Sequence, residues 1–224
     1  MEKESERKRG MTVHTLKAEN VTKILKNTTV LKNITLSLQS GKVYAFQGEN
    51  GCGKSMLFRV LSGLSKPTSG IVKYDDVDLN KPHKQVYKIG IVLENASMFP
   101  QFTAMQNLSY LAKINGLIGE TEMARALERV GLDPDDKRTV RKFSLGMRQR
   151  LLIAQAIMEQ PDYLFLDEPT NAIDREGVLL IQQIIREERD RGAIVLLASH
   201  IDRDVSALAD YRFFIERGEI TDEA

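Results

Sequence analysis

The stretch VYAFQGENGCGKSMLFRVL, residues 43–61, decides the fold of this 224-residue chain. Its middle, residues 48–55, matches the pattern G-x-x-x-x-G-K-[ST] in full. The apolar run before it is typical of a buried strand, and the residues after it have the spacing of an amphipathic helix. A glycine-rich loop between a strand and a helix binds phosphate, because its N–H groups and the helix dipole both favour an anion. We therefore interpret residues 48–55 as a phosphate-binding loop; the alternative is a glycine-rich turn without a ligand.

This loop predicts a set of nucleotide-binding positions with distinct roles. Glycines let the backbone approach phosphate closely. Lys54 is expected to reach the β- and γ-phosphates and to assist catalysis, and the Ser55 hydroxyl is expected to ligate Mg²⁺. Cys52 stands beside Lys54 and a helix N-terminus, which favour its thiolate, although a spectator role is equally open. The predicted positions are Gly48, Glu49, Asn50, Gly51, Cys52, Gly53, Lys54, Ser55 and Met56.

A second stretch, YLFLDEPT at residues 163–170, is an apolar strand that ends in two carboxylates. The carboxyl ends of strands in an α/β sheet border the crevice in which ligands bind. Asp167 is expected to hold Mg²⁺ through its water shell. Glu168 is the candidate general base that orients the attacking water. If this stretch stood alone, a solvated acidic turn would be the alternative.

Composition and charge exclude several classes of protein. The chain has 32 Lys and Arg against 31 Asp and Glu, so its formal net charge is +1 and no basic surface for nucleic acid is indicated. The single cysteine excludes an internal disulfide framework and fits a reducing compartment. The apolar runs are strand-sized, whereas a bilayer span needs about 20 apolar residues. We therefore expect a cytosolic protein with no nucleic-acid partner, preceded by a disordered charged tail at residues 1–10.

The order of strand and helix patterns predicts an α/β fold. A first strand is indicated at residues 16–21, period-two alternation appears at residues 34–38, and short apolar runs return at residues 163–166 and 193–198. Strands joined by helices imply a mostly parallel sheet. We expect a P-loop NTPase core with an N-terminal antiparallel β portion, and an α-helical subdomain at about residues 102–157 inserted into that core. Residues 11–224 then form a single domain.

Three further segments carry a resemblance to a known family. FSLGMRQR, residues 143–150, resembles the signature segment LSGGQ followed by Gln-Arg. NAID, residues 171–174, resembles the D-loop, and His200 after the strand AIVLLAS occupies the switch-histidine position. Together with the two motifs above, these segments make the sequence from about residue 16 to residue 220 resemble the ABC ATPase family. Other P-loop families lack the signature segment, so the resemblance is specific.

The resemblance implies an ATP-hydrolysing subunit of a transporter, with ATP and Mg²⁺ as its ligands. Ser144 and Gly146 open a helix whose N–H groups and dipole favour an anion. In this family that helix end faces the γ-phosphate bound to a second ATPase subunit, and Asp174 of the D-loop belongs to the same nucleotide site. His200 is expected to contact the γ-phosphate and to take part in catalysis. The implied partners are an identical or related ATPase chain and transmembrane permease subunits, which hold the protein on the inner face of the cell membrane.

Two departures from the family pattern narrow the resemblance. Glu94 stands where most members have a glutamine that contacts Mg²⁺, so Glu94 is a candidate metal and nucleotide ligand. The signature reads Ser-Leu-Gly-Met instead of Ser-Gly-Gly-Gln. Both features, with Phe99, Pro100 and Thr103 forming an FP-x-x-T segment, resemble the ATP-binding subunits of exporters for bacitracin and lantibiotic-type peptides.

A third departure concerns the base of the nucleotide. Family members stack adenine on an aromatic side chain that precedes the phosphate-binding loop, but residues 1–43 contain no Phe, Tyr or Trp. Alignment on the segment VLKNITL places Leu25 at the usual aromatic position. We therefore expect the triphosphate to dominate affinity, with weak discrimination between ATP and GTP.

Two other functions compete with transport. A soluble ABC ATPase that acts as a scaffold or switch would carry the same motifs and move no substrate. A small-molecule kinase on a P-loop core would need neither the signature helix nor His200, which argues against it. The main prediction is an ATPase that powers export of an antimicrobial peptide, a drug or a lipid-like substrate by nucleotide-driven dimerisation.

Overall fold

The computed structural model of the protein describes residues 13–81, 87–200 and 202–223. The charged tail predicted at residues 1–10 lies outside the described residues. The strands are β1 (Thr15–Leu25), β2 (Thr28–Gln39), β3 (Lys42–Gln47), β4 (Ser69–Tyr74), β5 (Val77–Asp78), β6 (Ile89–Val92), β7 (Tyr163–Asp167), β8 (Ile194–Ala198), β9 (Tyr211–Glu216) and β10 (Glu219–Glu223). The α-helices are α1 (Lys54–Leu61), α2 (Ala104–Asn115), α3 (Glu120–Arg129), α4 (Leu145–Ile157), α5 (Arg175–Arg191) and α6 (Asp202–Leu208).

The strands form two sheets of different character. The smaller sheet has the order β2-β1-β4-β5, and its strands are antiparallel. The larger sheet has the order β10-β9-β3-β8-β7-β6. Its pairs from β9 to β6 are parallel, and β10 joins the edge antiparallel to β9. The predicted α/β class, with an antiparallel β portion beside a mostly parallel sheet, is confirmed.

Burial explains why the two sheets have different sequence patterns. Every residue of β7 and β8 is buried, and so are the four central residues of β3. Strands covered on both faces have continuous apolar sequences, which is why β3, β7 and β8 are recognisable as short apolar runs. In β1, Leu16 and Ala18 are buried while their neighbours are partly exposed, as expected for a sheet with one covered face.

In the sequence, helices α2, α3 and α4 come between β6 and β7, which are neighbours in the larger sheet. The helix α4 begins at Ser144, whose Oγ accepts the backbone N–H of Met147 at 3.2 Å. Buried side chains of all three helices, including Leu108, Leu127 and Leu151, join one core cluster with residues of β7 and β8. The chain leaves the larger sheet at β6 and re-enters it in the next strand, so the helices do not interrupt the order of the strands. Among the described segments, no helix is long and apolar enough to cross a bilayer.

Candidate active site

The phosphate-binding loop follows β3 directly and ends where α1 begins. A side chain at Gly48 would clash with the backbone carbonyl of Ile215 in β9. Gly53 precedes α1 with a φ of 118°, in the left-handed region that favours glycine. The loop is therefore fixed against β9 on one side and leads into the N-terminus of α1 on the other.

The Lys54 side chain turns back over this loop. Its Nζ donates to the carbonyl oxygens of Gly48 at 2.6 Å and Glu49 at 3.1 Å. Only 6% of Lys54 is exposed. The ammonium group is thus held against the backbone of the loop, where a lysine of this motif meets the β- and γ-phosphates.

Two buried carboxylates stand at the end of β7. Asp167 is 1% exposed and Glu168 is 5% exposed. Each has one carboxylate oxygen without a hydrogen-bond partner, Oδ2 of Asp167 and Oε2 of Glu168. Buried polar atoms without partners are unfavourable, so these two oxygens indicate ligands that the chain itself does not supply. A divalent cation fits Asp167, and a water molecule fits Glu168.

The other oxygen of Glu168 is bound by His200. The backbone N–H of His200 donates to Glu168 Oε1 at 3.1 Å, and the imidazole Nδ1 lies 2.8 Å from the same atom. The backbone of Glu168 has a φ of 51°, which is unusual for a residue other than glycine. Its N–H donates to the carbonyl of Ala198 at the end of β8. The carboxylate is therefore oriented by β8 and the residues that follow it.

One cavity of about 490 Å³ connects the loop, the carboxylates and the histidine. It brings together most of the predicted positions: Asn50, Gly51, Gly53, Lys54, Ser55, Met56, Glu94, Asp167, Glu168 and His200. Val30 of β2 and Asn171 also line it, although the sequence did not mark them as site residues. Asn171 could have been found from its place at the start of the D-loop, whereas Val30 is an ordinary strand residue and gives no signal.

Three predicted loop positions lie mainly on the other side of the loop. Gly48, Glu49 and Cys52 line a neighbouring cavity of about 780 Å³ beside β9 and β10. The Cys52 side chain belongs to an apolar core cluster, and its sulfur lies 3.9 Å from Lys54 Nζ. The thiol therefore faces the protein interior instead of the cavity that contains Asp167 and Glu168.

Three side chains that line the cavity, Ser55, Glu94 and Asp167, have the chemistry of magnesium ligands. Mg²⁺ in phosphate-transfer sites is held by one or two carboxylates, together with substrate phosphates and water. Asp167 offers an unpartnered buried oxygen, and the Ser55 hydroxyl side chain lines the same cavity. Glu94 lies exposed in the turn after β6 and adds a second carboxylate to the lining. These residues fit the predicted cation.

The predicted signature residues Ser144 and Gly146 and the D-loop residue Asp174 do not line this cavity. Ser144 caps α4, and Leu145 beside it is 65% exposed. Gly146 is packed closely enough that a Cβ would lie 3.2 Å from the carbonyl oxygen of Ala172. Asp174 caps α5 by accepting the backbone N–H of Gly177 at 3.0 Å. The N-terminus of α4 therefore faces outward.

Leu25 likewise does not line the cavity. It ends β1, 40% exposed, just before the turn formed by Lys26 and Asn27. Both turn residues have positive φ values, 45° and 66°, which suits a tight hairpin. The same hairpin delivers Val30 to the cavity wall.

Comparisons with known proteins identify the family that this geometry indicates. Residues 31–171 match the family model described as ABC transporter. The chain belongs to this family. The lantibiotic transport ATP-binding protein SrtF of Streptococcus pyogenes is 36% identical over 205 residues, which cover 92% of this chain and 88% of that protein. The bacitracin transport ATP-binding protein BcrA of Bacillus licheniformis is 34% identical over 210 residues, which cover 93% of this chain and 69% of that protein.

A solved structure extends the similarity to three dimensions. It is the dimeric, post-hydrolysis state of an ATP-binding cassette bound to ADP and Pi, and it matches with a TM-score of 0.84 and 25% identity over 93% of this chain and 97% of the other. The predicted ABC family, its similarity to bacitracin and lantibiotic transport proteins, and the P-loop fold are confirmed. This ABC ATPase is the ATP-binding and ATP-hydrolysing subunit of a transporter, and a non-transport scaffold is not favoured.

Proposed function

We propose that this ABC ATPase hydrolyses magnesium-bound ATP in the cavity between the phosphate-binding loop and β7. The observation that carries the proposal is the pair of buried, unpartnered oxygens, Asp167 Oδ2 and Glu168 Oε2, in the same cavity as Lys54. Asp167 and Ser55 would hold Mg²⁺, which would offset the negative charge of the phosphates. Lys54 and the N–H groups of the loop bind the β- and γ-phosphates. Glu94 contributes a further carboxylate to the metal side of the cavity.

Glu168 activates the attacking water in this proposal. Its Oε1 is held by His200, so Oε2 is the atom that accepts the proton while the water oxygen bonds to the γ-phosphorus. The bond from that phosphorus to the bridging oxygen breaks, and ADP leaves with the bond electrons. His200, half-exposed at the edge of the cavity, also contacts the γ-phosphate and stabilises its charge.

The nucleotide site is completed by a second ATPase chain, identical or related. Ser144 and Gly146 lie at an outward-facing helix start, whose free N–H groups and dipole favour a phosphate. Asp174 lies at the start of α5. It follows the loop whose Ala172 carbonyl approaches Gly146 at the start of α4. These residues belong to the nucleotide site of the partner chain, so ATP binding draws the two chains together.

The segment at residues 94–101 contacts the membrane-embedded permease. It begins at Glu94 in the cavity and leads to an exposed aromatic cluster of Phe99, Phe102 and Tyr110. Phe99 is 41% exposed and Tyr110 is 55% exposed. Exposed apolar patches of this kind mark interaction sites. Contact with the permease places the protein on the cytoplasmic face of the cell membrane.

The transported substrate is an antimicrobial peptide or a drug, moved outward. Support comes from the two relatives, which are named as lantibiotic and bacitracin transport proteins. Glu94 and the FP-x-x-T segment, which resemble those of bacitracin and lantibiotic-type exporters, point the same way.

We also propose that residues 11–224 act as one domain, in which the helices between residues 102 and 157 form a subdomain.

A resistance assay tests the whole proposal. Cells that lack the chain are complemented with wild type or with Lys54→Ala, which removes the phosphate-binding ammonium. Wild type is expected to restore growth in bacitracin or in a lantibiotic, and Lys54→Ala is not. Wild type purified from membranes should bring down a protein with several membrane spans. Equal growth with both versions in every peptide, together with a chain that brings down no membrane protein, would contradict the proposal.

A further inference from the structure

Gln149, in the second turn of α4, touches the loop that carries the general base. Its Nε2 donates to the carbonyl oxygen of Pro169 at 3.3 Å and approaches that of Glu168 at 3.5 Å. Gln149 does not line the cavity, and it has none of the roles assigned to the motif residues. Yet it connects the helix that begins at Ser144 with the peptide units on either side of Pro169.

The same helix and loop meet at two further points. The absence of a side chain at Gly146 allows the helix backbone to approach the carbonyl of Ala172. Met147 and Ile173 both pack, half-buried, against one apolar core cluster. The first two turns of α4 therefore lie along residues 168–173, and a shift of this helix changes the surroundings of the loop directly.

The loop needs such external support because its backbone is strained. Glu168 and Ala172 have φ values of 51° and 62°, in the left-handed region that disfavours residues with side chains. Residues in such conformations persist only where their surroundings hold them. The hydrogen bonds from Gln149 hold the carbonyls of Glu168 and Pro169, and so restrict the backbone from which the Glu168 side chain projects.

We propose that Gln149 is a positioning residue that couples the two nucleotide sites of the dimer. The inference rests on the proposed function, in which the start of α4 binds the nucleotide of the partner chain. When that nucleotide draws α4 into place, the side-chain amide of Gln149 aligns the Glu168 loop of its own chain. Each bound nucleotide thus prepares the general base of the other site.

The test replaces the amide without changing the length of the side chain. Gln149→Met removes the donor, and Gln149→Glu sets a carboxylate against two carbonyl oxygens. Gln155, partly buried on the same helix but bordering a different cavity, provides the matched control Gln155→Met. ATP hydrolysis by the purified chain is measured as kcat, KM and Hill coefficient. Dimer formation with ATP is measured by size-exclusion chromatography in the Glu168→Gln background.

Both Gln149 variants are expected to lower kcat about tenfold, since small misplacement of a catalytic group has effects of this order or larger. KM and the ATP-dependent dimer should stay within about twofold, because no contact to nucleotide is removed. The Hill coefficient should fall toward one, and Gln155→Met should behave as wild type. A normal kcat and Hill coefficient in Gln149→Met, or a fall in kcat equalled by Gln155→Met, would overturn the inference. If Glu168→Gln alone forms no dimer with ATP, the two-chain site in the proposed function fails instead.

Discussion

The imidazole Nδ1 of His200 lies 2.8 Å from Oε1 of Glu168, while Oε2 of the same carboxylate has no partner. The two oxygens of Glu168 therefore have different tasks. One is fixed by the ring and by the backbone N–H of His200, and the other is available to an attacking water. This asymmetry separates orientation of the base from proton transfer, and the two can be tested separately.

Glu168→Gln should abolish turnover and preserve binding. The amide keeps an oxygen that can accept from His200, but it cannot take a proton from water at neutral pH. Loss of a general base typically lowers the rate about 10²–10⁴-fold. The variant should bind ATP and accumulate as an ATP-bound dimer, measured by phosphate release and by size-exclusion chromatography.

His200→Ala is the companion to this variant. The backbone N–H of residue 200 still donates to Glu168 Oε1, so orientation is only partly lost. Its phosphate release should fall between wild type and Glu168→Gln. Turnover of Glu168→Gln within about threefold of wild type, against the 10²–10⁴-fold expected, would remove Glu168 from the role of base.

Glu94→Ala should uncouple transport more than it weakens ATP binding. Glu94 lines the phosphate cavity at one end of the segment that leads to Phe99, so it links the nucleotide to the permease surface. Loss of a carboxylate on the metal side should weaken ATP binding only slightly, because the repulsion between this carboxylate and the phosphates is lost as well, and unit charges about 4 Å apart repel by about 1 kcal/mol even in bulk water. The measurement compares nucleotide titration with ATPase activity stimulated by the permease in membranes.

Glu94→Gln serves as the matched control, because it keeps the side-chain length and supplies the amide that most family members carry. Stimulation of ATPase activity by the permease should be retained in this variant if the position requires only a polar side chain. A cross-linking map that places the permease away from residues 94–101 would contradict the proposed surface. Loss of ATP affinity in Glu94→Ala with intact coupling would contradict the proposed role of the carboxylate.

The strands that carry the phosphate-binding loop and the carboxylates were predictable from the sequence for a physical reason. β3 and β7 are covered on both faces, so their sequences are short apolar runs, and each is followed at once by polar residues with a required chemistry. The antiparallel strands were predicted too short. The pattern indicated residues 16–21 and 34–38, whereas β1 is Thr15–Leu25 and β2 is Thr28–Gln39. Their outer halves alternate with exposed polar residues and resemble loop in sequence.

Residues that reach the site through tertiary packing gave no such signal. Val30 lines the cavity because the hairpin of β1 and β2 folds over the loop, and nothing in a single valine reveals that approach. Gln149 was noticed only as part of the signature segment, since its contact with Pro169 depends on how α4 lies along the loop that follows β7. The positive φ of Glu168 is equally invisible in the sequence, because the contacts of this residue, such as the hydrogen bond from its N–H to the Ala198 carbonyl, come from distant parts of the chain.

The ion pair between Arg129 and Glu188 should stabilise the contact of α3 with α5. Glu188 is 1% exposed, and its two oxygens accept from Arg129 Nη1 and Arg191 Nη2, both at 2.8 Å. Burial alone would lower the pKa of Arg129, but hydrogen bonds and the charge of Glu188 outweigh it and raise the pKa. Arg129→Met should lower the free energy of unfolding by about 1–3 kcal/mol in urea, because Glu188 loses one of two cations.

Glu187→Gln is the control for this pair. Glu187 binds the same guanidinium at 2.9 Å but is 45% exposed, and exposed ion pairs contribute about 0–1 kcal/mol. It should therefore change the free energy of unfolding much less than Arg129→Met. Equal effects of the two substitutions would show that burial of Glu188 does not determine the strength of the contact.

Stability should fall at alkaline pH through the buried tyrosines. Burial raises the pKa of Tyr74 well above its ordinary value, with a smaller contribution from Tyr87. The folded state thus keeps the phenol protonated above pH 10, where the unfolded chain begins to lose the proton. Stability is fully present below about pH 10 and declines above it, by at most about 1.4 kcal/mol per pH unit for each such group.

Tyr74→Phe should flatten this alkaline decline while costing about 1 kcal/mol at neutral pH, because the hydroxyl donates to the Leu61 carbonyl at 2.7 Å. Tyr110→Phe, at an exposed position, should change neither the alkaline decline nor the free energy of unfolding at neutral pH. The measurement is urea denaturation at several values of pH between 7 and 11. An alkaline slope that is the same in Tyr74→Phe and wild type would exclude Tyr74 as a cause.

Nucleotide base recognition should be weak, and one substitution should strengthen it. Leu25 ends β1 at 40% exposure, beside the hairpin turn that brings Val30 to the cavity, and it offers the base no π-face and no hydrogen-bond donor. Base–aromatic stacking is worth about 1–3 kcal/mol per base, so Leu25→Tyr should tighten ATP binding several-fold. Ile24→Tyr is the matched control, because neighbouring strand residues point to opposite faces. Nucleotide titration of the three proteins decides the question. Wild-type preference for ATP over GTP above about a hundredfold, or about 2.7 kcal/mol, would show that other residues recognise the base.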